Sequence, residues 1–249
     1  MKIKHLLIPV LVLISLVSNA QTADEIIAKY FENTGGRDKW NALQGLKISA
    51  KMNQGGLELA LTIFQLKDGR QLSSVNFQGK EIKQGVYDGA SLWSHNFMTM
   101  KAEKSDAEST ANFKVDIGEF PDPFLNYKER GLTVELLGKE TIDGTETFKI
   151  KLTKKPITVD GKPADNVVFY FFDAEAFVPL MMEAEVKSGP GKGMISQIKW
   201  SDYQDVGGIL MPFSMARGAK GAGSQPITIT NIELNPKVDD AAFKYPEGN

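Results

Sequence analysis

The stretch from Asn166 to Val186, Asn-Val-Val-Phe-Tyr-Phe-Phe-Asp-Ala-Glu-Ala-Phe-Val-Pro-Leu-Met-Met-Glu-Ala-Glu-Val, constrains the fold more than any other part of the chain. Two β-type runs flank a polar break at Asp173 to Ala176. Side chains alternate between the faces of a strand, so Val167, Phe169 and Phe171 share one side and Val168, Tyr170 and Phe172 the other. Both sides are apolar. That excludes a solvated edge strand and predicts a central one, with a core on one face and something equally dry on the other. The return run is more clearly divided, with Val178, Leu180, Met182, Ala184 and Val186 opposing Met181, Glu183 and Glu185. Whether a helix or a ligand covers the second dry face is the functional question.

The same period of two runs through most of the chain. Leu57, Leu59, Leu61 and Ile63 alternate with Glu58, Ala60 and Thr62, and Phe148, Ile150 and Leu152 alternate with Thr147, Lys149 and Lys151. Hairpin signals recur between such runs at Asp68-Gly69, Asp88-Gly89, Asp143-Gly144, Asp160-Gly161 and Gly207-Gly208. The spacing predicts roughly 11 strands joined by short turns, an antiparallel meander rather than a parallel sheet. Helical patterning is confined to two places. Ala23 to Asn33 carries a stripe of Ile26, Ile27, Tyr30 and Phe31, with Thr22 or Asp24 as cap and Gly35-Gly36 as stop, and a short turn anchored by Trp40 and Leu43 follows. Lys101 to Ile117 lacks strand alternation and is followed by Phe120-Pro121-Asp122-Pro123-Phe124, so it reads as a helical crossing segment ended by prolines. The class is α+β.

Met1 to Ala20 has Lys2 and Lys4, the apolar run Leu6 to Val17, and then Ser18-Asn19-Ala20. This is the pattern of a signal peptide cut after Ala20. The run is too short for a bilayer core, which needs about 20 residues. The expected organisation is therefore a leader over residues 1–20 and one β-rich domain over 21–249, exported and soluble. The sequence has no cysteine, which excludes disulfides, thiolate chemistry and an N-terminal lipid anchor. Its 29 basic and 31 acidic residues are in near balance, which as a total steers the chain toward neither nucleic acid nor anionic headgroups.

Catalytic constellations are not legible. His95, the one histidine beyond the leader, has no second histidine or cysteine to complete a usual zinc site and no recognisable triad partners. Asp202 with Asp205 and Glu183 with Glu185 are the paired carboxylates, and both pairs read as solvated faces or turn residues. The chain has instead an excess of soft apolar side chains, 14 Phe and 9 Met. Such residues usually fill a core, and they also serve surfaces that accept varied partners. A meander this long needs a large covering layer, and only two helical segments are available to supply it. That mismatch predicts a cavity. Its candidate lining is Leu59, Leu61, Ile63, Phe148, Ile150, Val167, Phe169, Phe171, Leu180 and Met182. The all-hydrocarbon set Val167, Phe169 and Phe171 is expected to face the ligand, and Tyr170 to face away because its hydroxyl needs water or a polar partner.

Several short elements, in order, resemble the LolA-like periplasmic lipoprotein carriers. They are the N-terminal helix running into Asn33-Thr34-Gly35-Gly36, Val86-Tyr87-Asp88-Gly89 with Trp93, and Gly138-Lys139-Glu140 with Phe148 to Leu152. Phe169 to Asp173 with Val178-Pro179-Leu180, Ser201-Asp202-Tyr203 with Gly207 and Met211-Pro212, and Asp239-Asp240-Ala241-Ala242-Phe243 follow. The resemblance implies an unclosed antiparallel β-barrel around helices, with a cavity for acyl chains, no enzymatic activity and no cofactor. It implies a soluble periplasmic shuttle, monomeric, whose partners are a lipid or acylated lipoprotein and membrane-associated donor and acceptor proteins. It also implies an arginine that locks the lid; Arg37 and Arg70 stand in roughly suitable places, without a motif. The other reading of the same apolar surface is a non-enzymatic interaction module that docks a partner protein.

Overall fold

The computed structural model describes residues 21–247, so the expected leader lies outside the described residues. The chain opens with α1 (Ala23–Asn33) and α2 (Arg37–Ala42). Thr22 and Glu25 form a reciprocal capping box at the start of α1, which satisfies two of the amide groups a helix start leaves free. A first meander follows: β1 (Gly45–Gln54), β2 (Leu57–Leu66), β3 (Gln71–Phe77), β4 (Lys80–Tyr87), β5 (Leu92–His95) and β6 (Ala102–Lys104). Next comes α3 (Ala107–Asp116), then a 3-10 turn over Ile117–Glu119 and an irregular segment to residue 132. The second half comprises β7 (Thr133–Ile142), β8 (Thr145–Thr153), β9 (Ile157–Val159), β10 (Lys162–Ala164), β11 (Val167–Asp173), β12 (Pro179–Glu185), β13 (Ile195–Val206), β14 (Ile209–Ala219) and β15 (Ser224–Leu234).

Thirteen of these strands form one antiparallel sheet in the order β6-β5-β4-β3-β2-β1-β15-β14-β13-β12-β11-β8-β7, and β9 pairs only with β10. The estimate of roughly 11 strands was low because three-residue strands such as β6, β9 and β10 are too short to show alternation. For the same reason the segment expected to be helical from Lys101 begins as strand β6 and becomes helix only at Ala107.

Every neighbour in the sheet is a sequence neighbour except at two places. β1 pairs with β15, with Leu46 opposite Leu234 and Ile48 opposite Ile232, and β8 pairs with β11 across the β9–β10 excursion. The sheet does not close, since its outer strands β6 and β7 have no partner on one side. The chain must nevertheless travel from β6 to β7, so α3 and the following segment cross from one free edge to the other. The lid is a consequence of topology.

Packing places α1 and α2 at one end of the concave face. Ile26, Ile27, Tyr30, Phe31 and Trp40 are buried in one cluster with Ile150, Leu152, Val168, Tyr170 and Phe172 of the sheet. The α1–α2 junction needs glycine at 35: its φ is +111°, and a Cβ there would collide with the carbonyl of Gly208 in the β13–β14 turn. A second cluster, built on Leu66, Leu72, Val86, Trp93 and Phe243, packs the C-terminal turn Asp240–Phe243 under the first meander.

Candidate functional site

The concave face is lined by the inward rows of β1, β2, β14 and β15. Ile48, Ala50, Ile63, Met211, Met215, Ile227, Ile229 and Ile232 form the wall of a cavity of about 350 Å³, roofed by Tyr30, Trp40 and the Pro121-Asp122-Pro123-Phe124 segment. That is the lower end of the range for small-molecule pockets, about 300–1,000 Å³. Tyr170 stacks on Trp200 inside it, ring centroids 6.4 Å apart and planes 3° from parallel. A second cavity of about 400 Å³ lies further along β2, lined by Met52, Leu57, Leu59, Val75, Phe77, Ile82, Phe97 and Met100. Opposed pairs join the two floors. Ile48 faces Ile63, Ala50 faces Leu61 and Met52 faces Leu59, so one apolar row runs from the roofed cavity to the second one, which is comparably open.

The roof is fastened by hydrophobic and polar contacts. Phe124 is buried edge-on against Tyr170 and Phe172, at 4.8 and 5.3 Å. Asp122 beside it accepts the Tyr30 hydroxyl at 2.9 Å and the Phe124 amide at 2.8 Å. Burial pushes its carboxyl up to about 6 despite those donors, because removal from water penalises the charged form. Arg130 donates from Nη1 to the Gly118 carbonyl at 2.5 Å and from Nη2 to the Pro123 carbonyl, pinning both sides of the Phe120-Pro121-Asp122 stretch. Lys154 bridges Asp116 at 2.8 Å and Glu119 at 2.9 Å. Upstream, α3 is clasped by the β9–β10 hairpin: Asn112 donates to the Thr158 carbonyl at 2.6 Å and accepts its amide at 2.8 Å. Ile117 seats against Gly69, where a Cβ would collide with it.

The sequence-derived lining separates into three groups. Ile63 lines the roofed cavity and Leu59 the second one, with Leu61 between them on the same row. Phe148, Ile150, Leu180 and Met182 lie on the concave side within or against the main core. Val167, Phe169 and Phe171 do not join them. Val168, Tyr170 and Phe172 are the residues of β11 in the main core, so the expected choice of face is corrected. Phe169 and Phe171 sit on the outer face beneath the ammonium of Lys149, at 5.2 and 5.3 Å from the ring centroids.

A bulge between Phe171 and Phe172 shifts the register, so Met182 stands opposite Tyr170 and Met181 opposite Phe171. The tyrosine is inward because an aromatic cluster covers its ring. The phenylalanines are covered outside by the Lys149 ammonium, which lies over both rings and is itself paired with Glu140 at 2.8 Å.

The arginines named from sequence have other work. Arg70 pairs with Asp68 at 2.8 Å and Asp240 at 2.6 Å, tying the C-terminal turn to the β2–β3 turn, and Arg37 lies 4.4 Å over the Phe31 ring. Arg130, Asp122 and Trp200 were missed. Arg130 and Asp122 stand in an irregular stretch whose pairing nothing in a local pattern encodes. His95 accepts the Lys83 amide through Nδ1 at 2.8 Å, and Glu183 is buried on the outer face with Lys220 at 2.9 Å. Neither faces the cavities.

An unclosed antiparallel half-barrel with a roofed apolar cavity defines the class of protein. No protein-family model and no curated protein matches the sequence. Solved structures match over nearly their whole length. A LolA superfamily protein from Nitrosomonas europaea has TM-score 0.52 and 14% identity, covering 90% of this chain and 98% of that one. A DUF1329 family protein from Desulfovibrio piger has TM-score 0.52 and 18% identity, covering 88% and 97%. An outer membrane lipoprotein-sorting protein domain from Vibrio parahaemolyticus has TM-score 0.50 and 11% identity, covering 88% and 94%. The fold is the LolA-type half-barrel that the sequence resemblance implied. Among the described residues no helix is long and apolar enough to cross a membrane.

Proposed function

We propose that the protein is a divergent LolA-like carrier, exported to the periplasm and cut after Ala20, that holds acyl chains of a lipid or lipoprotein in the concave trough and ferries them toward the outer membrane. The observation that carries this reading is the continuous apolar row from Ile48 and Ile63 to Met52 and Leu59, which links two unfilled cavities. Each buried methylene contributes about 0.8 kcal/mol, so a chain lying along this row gains affinity in proportion to its length. A catalytic role has less support, because several polar groups lining the roofed cavity are committed elsewhere: Asp122 and the Tyr30 hydroxyl to each other and the roof, and the Tyr203 hydroxyl to the Pro179 carbonyl.

The test is native mass spectrometry of protein taken from the cell envelope, followed by solvent extraction and titration with a fluorescent fatty acid. Co-purifying lipid and saturable uptake are expected. A lipid-free protein that takes up no fatty acid overturns the carrier reading.

A further inference from the structure

The near-neutral total charge conceals an asymmetry between the two ends of the sheet. Antiparallel pairing puts the β1–β2, β3–β4, β5–β6, β12–β13 and β14–β15 turns at one end. Those turns hold Lys101, Lys187, Lys192 and Lys220 and no acidic residue. The opposite end carries Asp68, Asp88, Asp143 and Glu175 in its turns, against Lys67 and Arg70. The β8–β11 excursion at the lysine end, residues 154–166, adds Lys155 and Lys162 with Asp160 and Asp165; Lys154 is taken up by its bridges to Asp116 and Glu119.

The exposed large apolar side chains follow the same polarity. Met98 is 94% exposed, Phe97 66%, Met194 48%, Leu57 47% and Phe77 37%, and these five flank or top turns at the lysine end, while the sixth among the described residues, Leu137, lies within β7. Phe97 and Met98 are displayed by a fixed turn: Asn96 Oδ1 accepts the Met98 and Thr99 amides at 2.9 and 3.2 Å, and the Met100 amide donates to the Asn96 carbonyl at 2.8 Å. Leu57, Phe77 and Phe97 also edge the second cavity.

We infer that this rim is a docking surface for an anionic phospholipid bilayer. Phe97 and Met98 enter the interface, the turn lysines lie at headgroup level, and the trough opens onto the membrane. Apolar groups spread over separate tips around an opening fit a plane better than a folded protein partner, which would need one contiguous patch. Lysines at such a height gain from anionic lipid. The ion pairs of Lys187 with Glu185 at 2.6 Å and Lys192 with Asp160 at 3.0 Å are exposed and therefore weak competitors, whereas Lys220 is held by the buried Glu183 and contributes less. The inference goes beyond the carrier reading and does not depend on it, since docking is measurable with an empty trough.

The experiment is flotation of the detergent-free protein with vesicles of phosphatidylethanolamine and phosphatidylglycerol, and separately with phosphatidylcholine alone. The protein should float with the anionic vesicles, less with phosphatidylcholine, and less as salt rises. Each apolar side chain withdrawn from the interface is worth about tenfold in partition, so Phe97→Ser with Met98→Ser should lose about a hundredfold. Both residues are exposed, so the melting temperature of that variant should be unchanged. Leu137→Ser, at an exposed apolar position on β7, should float like the parent. Parent protein that stays at the bottom with anionic vesicles overturns the inference and leaves the rim as a protein-docking face. Equal flotation of the parent and the Phe97→Ser, Met98→Ser variant overturns it as well. Met98→Ser alone, at a residue that lines neither cavity, should lose about tenfold in flotation while its fatty-acid uptake without vesicles matches the parent, and so separates this result from any failure of the carrier reading.

Discussion

The two faces of β11 are equally apolar in sequence and are kept dry by different means. Inward, Tyr170 and Phe172 are enclosed by rings and by the roof residue Phe124. Outward, Phe169 and Phe171 lie under Lys149, with Phe169 also beside Lys151 and Glu183 on the neighbouring strands. The inward cover is rigid and shared with the cavity, whereas the outward cover is a set of long side chains that can move. Hydrophobicity alone therefore does not tell a ligand-facing strand surface from an outer one. The neighbours opposite each residue do.

The largest expected effect comes from placing a charge on the inward face. Tyr170→Glu buries an uncompensated carboxylate among aromatic rings and near Asp122, so it should cost more than about 4 kcal/mol and abolish lipid retention. A cooperative melt near the parent temperature, together with retained lipid, would reverse the assignment of faces. Next is the pH dependence set by Asp122. Its folded pKa of about 6 lies above the ordinary 3.8, so protonation favours the folded form. That contribution is complete below pH 4 and is lost as pH rises through 6, about 3 kcal/mol in all at 1.36 kcal/mol per unit. Denaturant titrations from pH 4 to 7 should show Asp122→Asn gaining stability relative to the parent over this window. Parallel curves would mean that the carboxyl is not desolvated.

Two smaller effects sharpen the outer half of the comparison. Lys149→Ala removes the cation above the rings and its pair with Glu140, together worth about 1–2 kcal/mol, and should leave lipid uptake intact. Phe169→Glu sets a carboxylate opposite Glu183 but also beside Lys149 and Lys151, whose two charges offset that repulsion, so it should stay within about 1 kcal/mol of the parent and still retain lipid. If it unfolds the protein, the outer face is as tightly packed as the inner one, and the contrast fails.

Much of the frame was legible in the chain. The hairpin signals at Asp143-Gly144 and Asp160-Gly161 are real turns with both residues at positive φ, as a right-twisted two-residue hairpin needs. The stripe on α1 buries the four residues it marks. The face of β11 was not legible, because the rings that cover Tyr170, Phe124 and Trp200, lie far away in sequence. The roof was not legible either: Arg130, Asp122 and Tyr30 meet only after the crossing segment folds back, and no spacing rule links them. The rim was hidden for a third reason. Its tips are scattered from Leu57 to Met194, and only the register of the sheet brings them to one end.

The β1–β15 seam has a consequence for how such a chain is made. Across it the Thr230 hydroxyl bonds the Ser49 carbonyl, 181 positions away, and the inward row of the cavity alternates between the two strands. A polypeptide emerging from its N-terminus produces β1 early and must wait for nearly all the rest before that edge is covered. Contacts of such high sequence separation form slowly, and the uncovered strand meanwhile offers a template for pairing with other chains. The edge of β1 in the first meander therefore stays uncovered until β15 is available to pair with it.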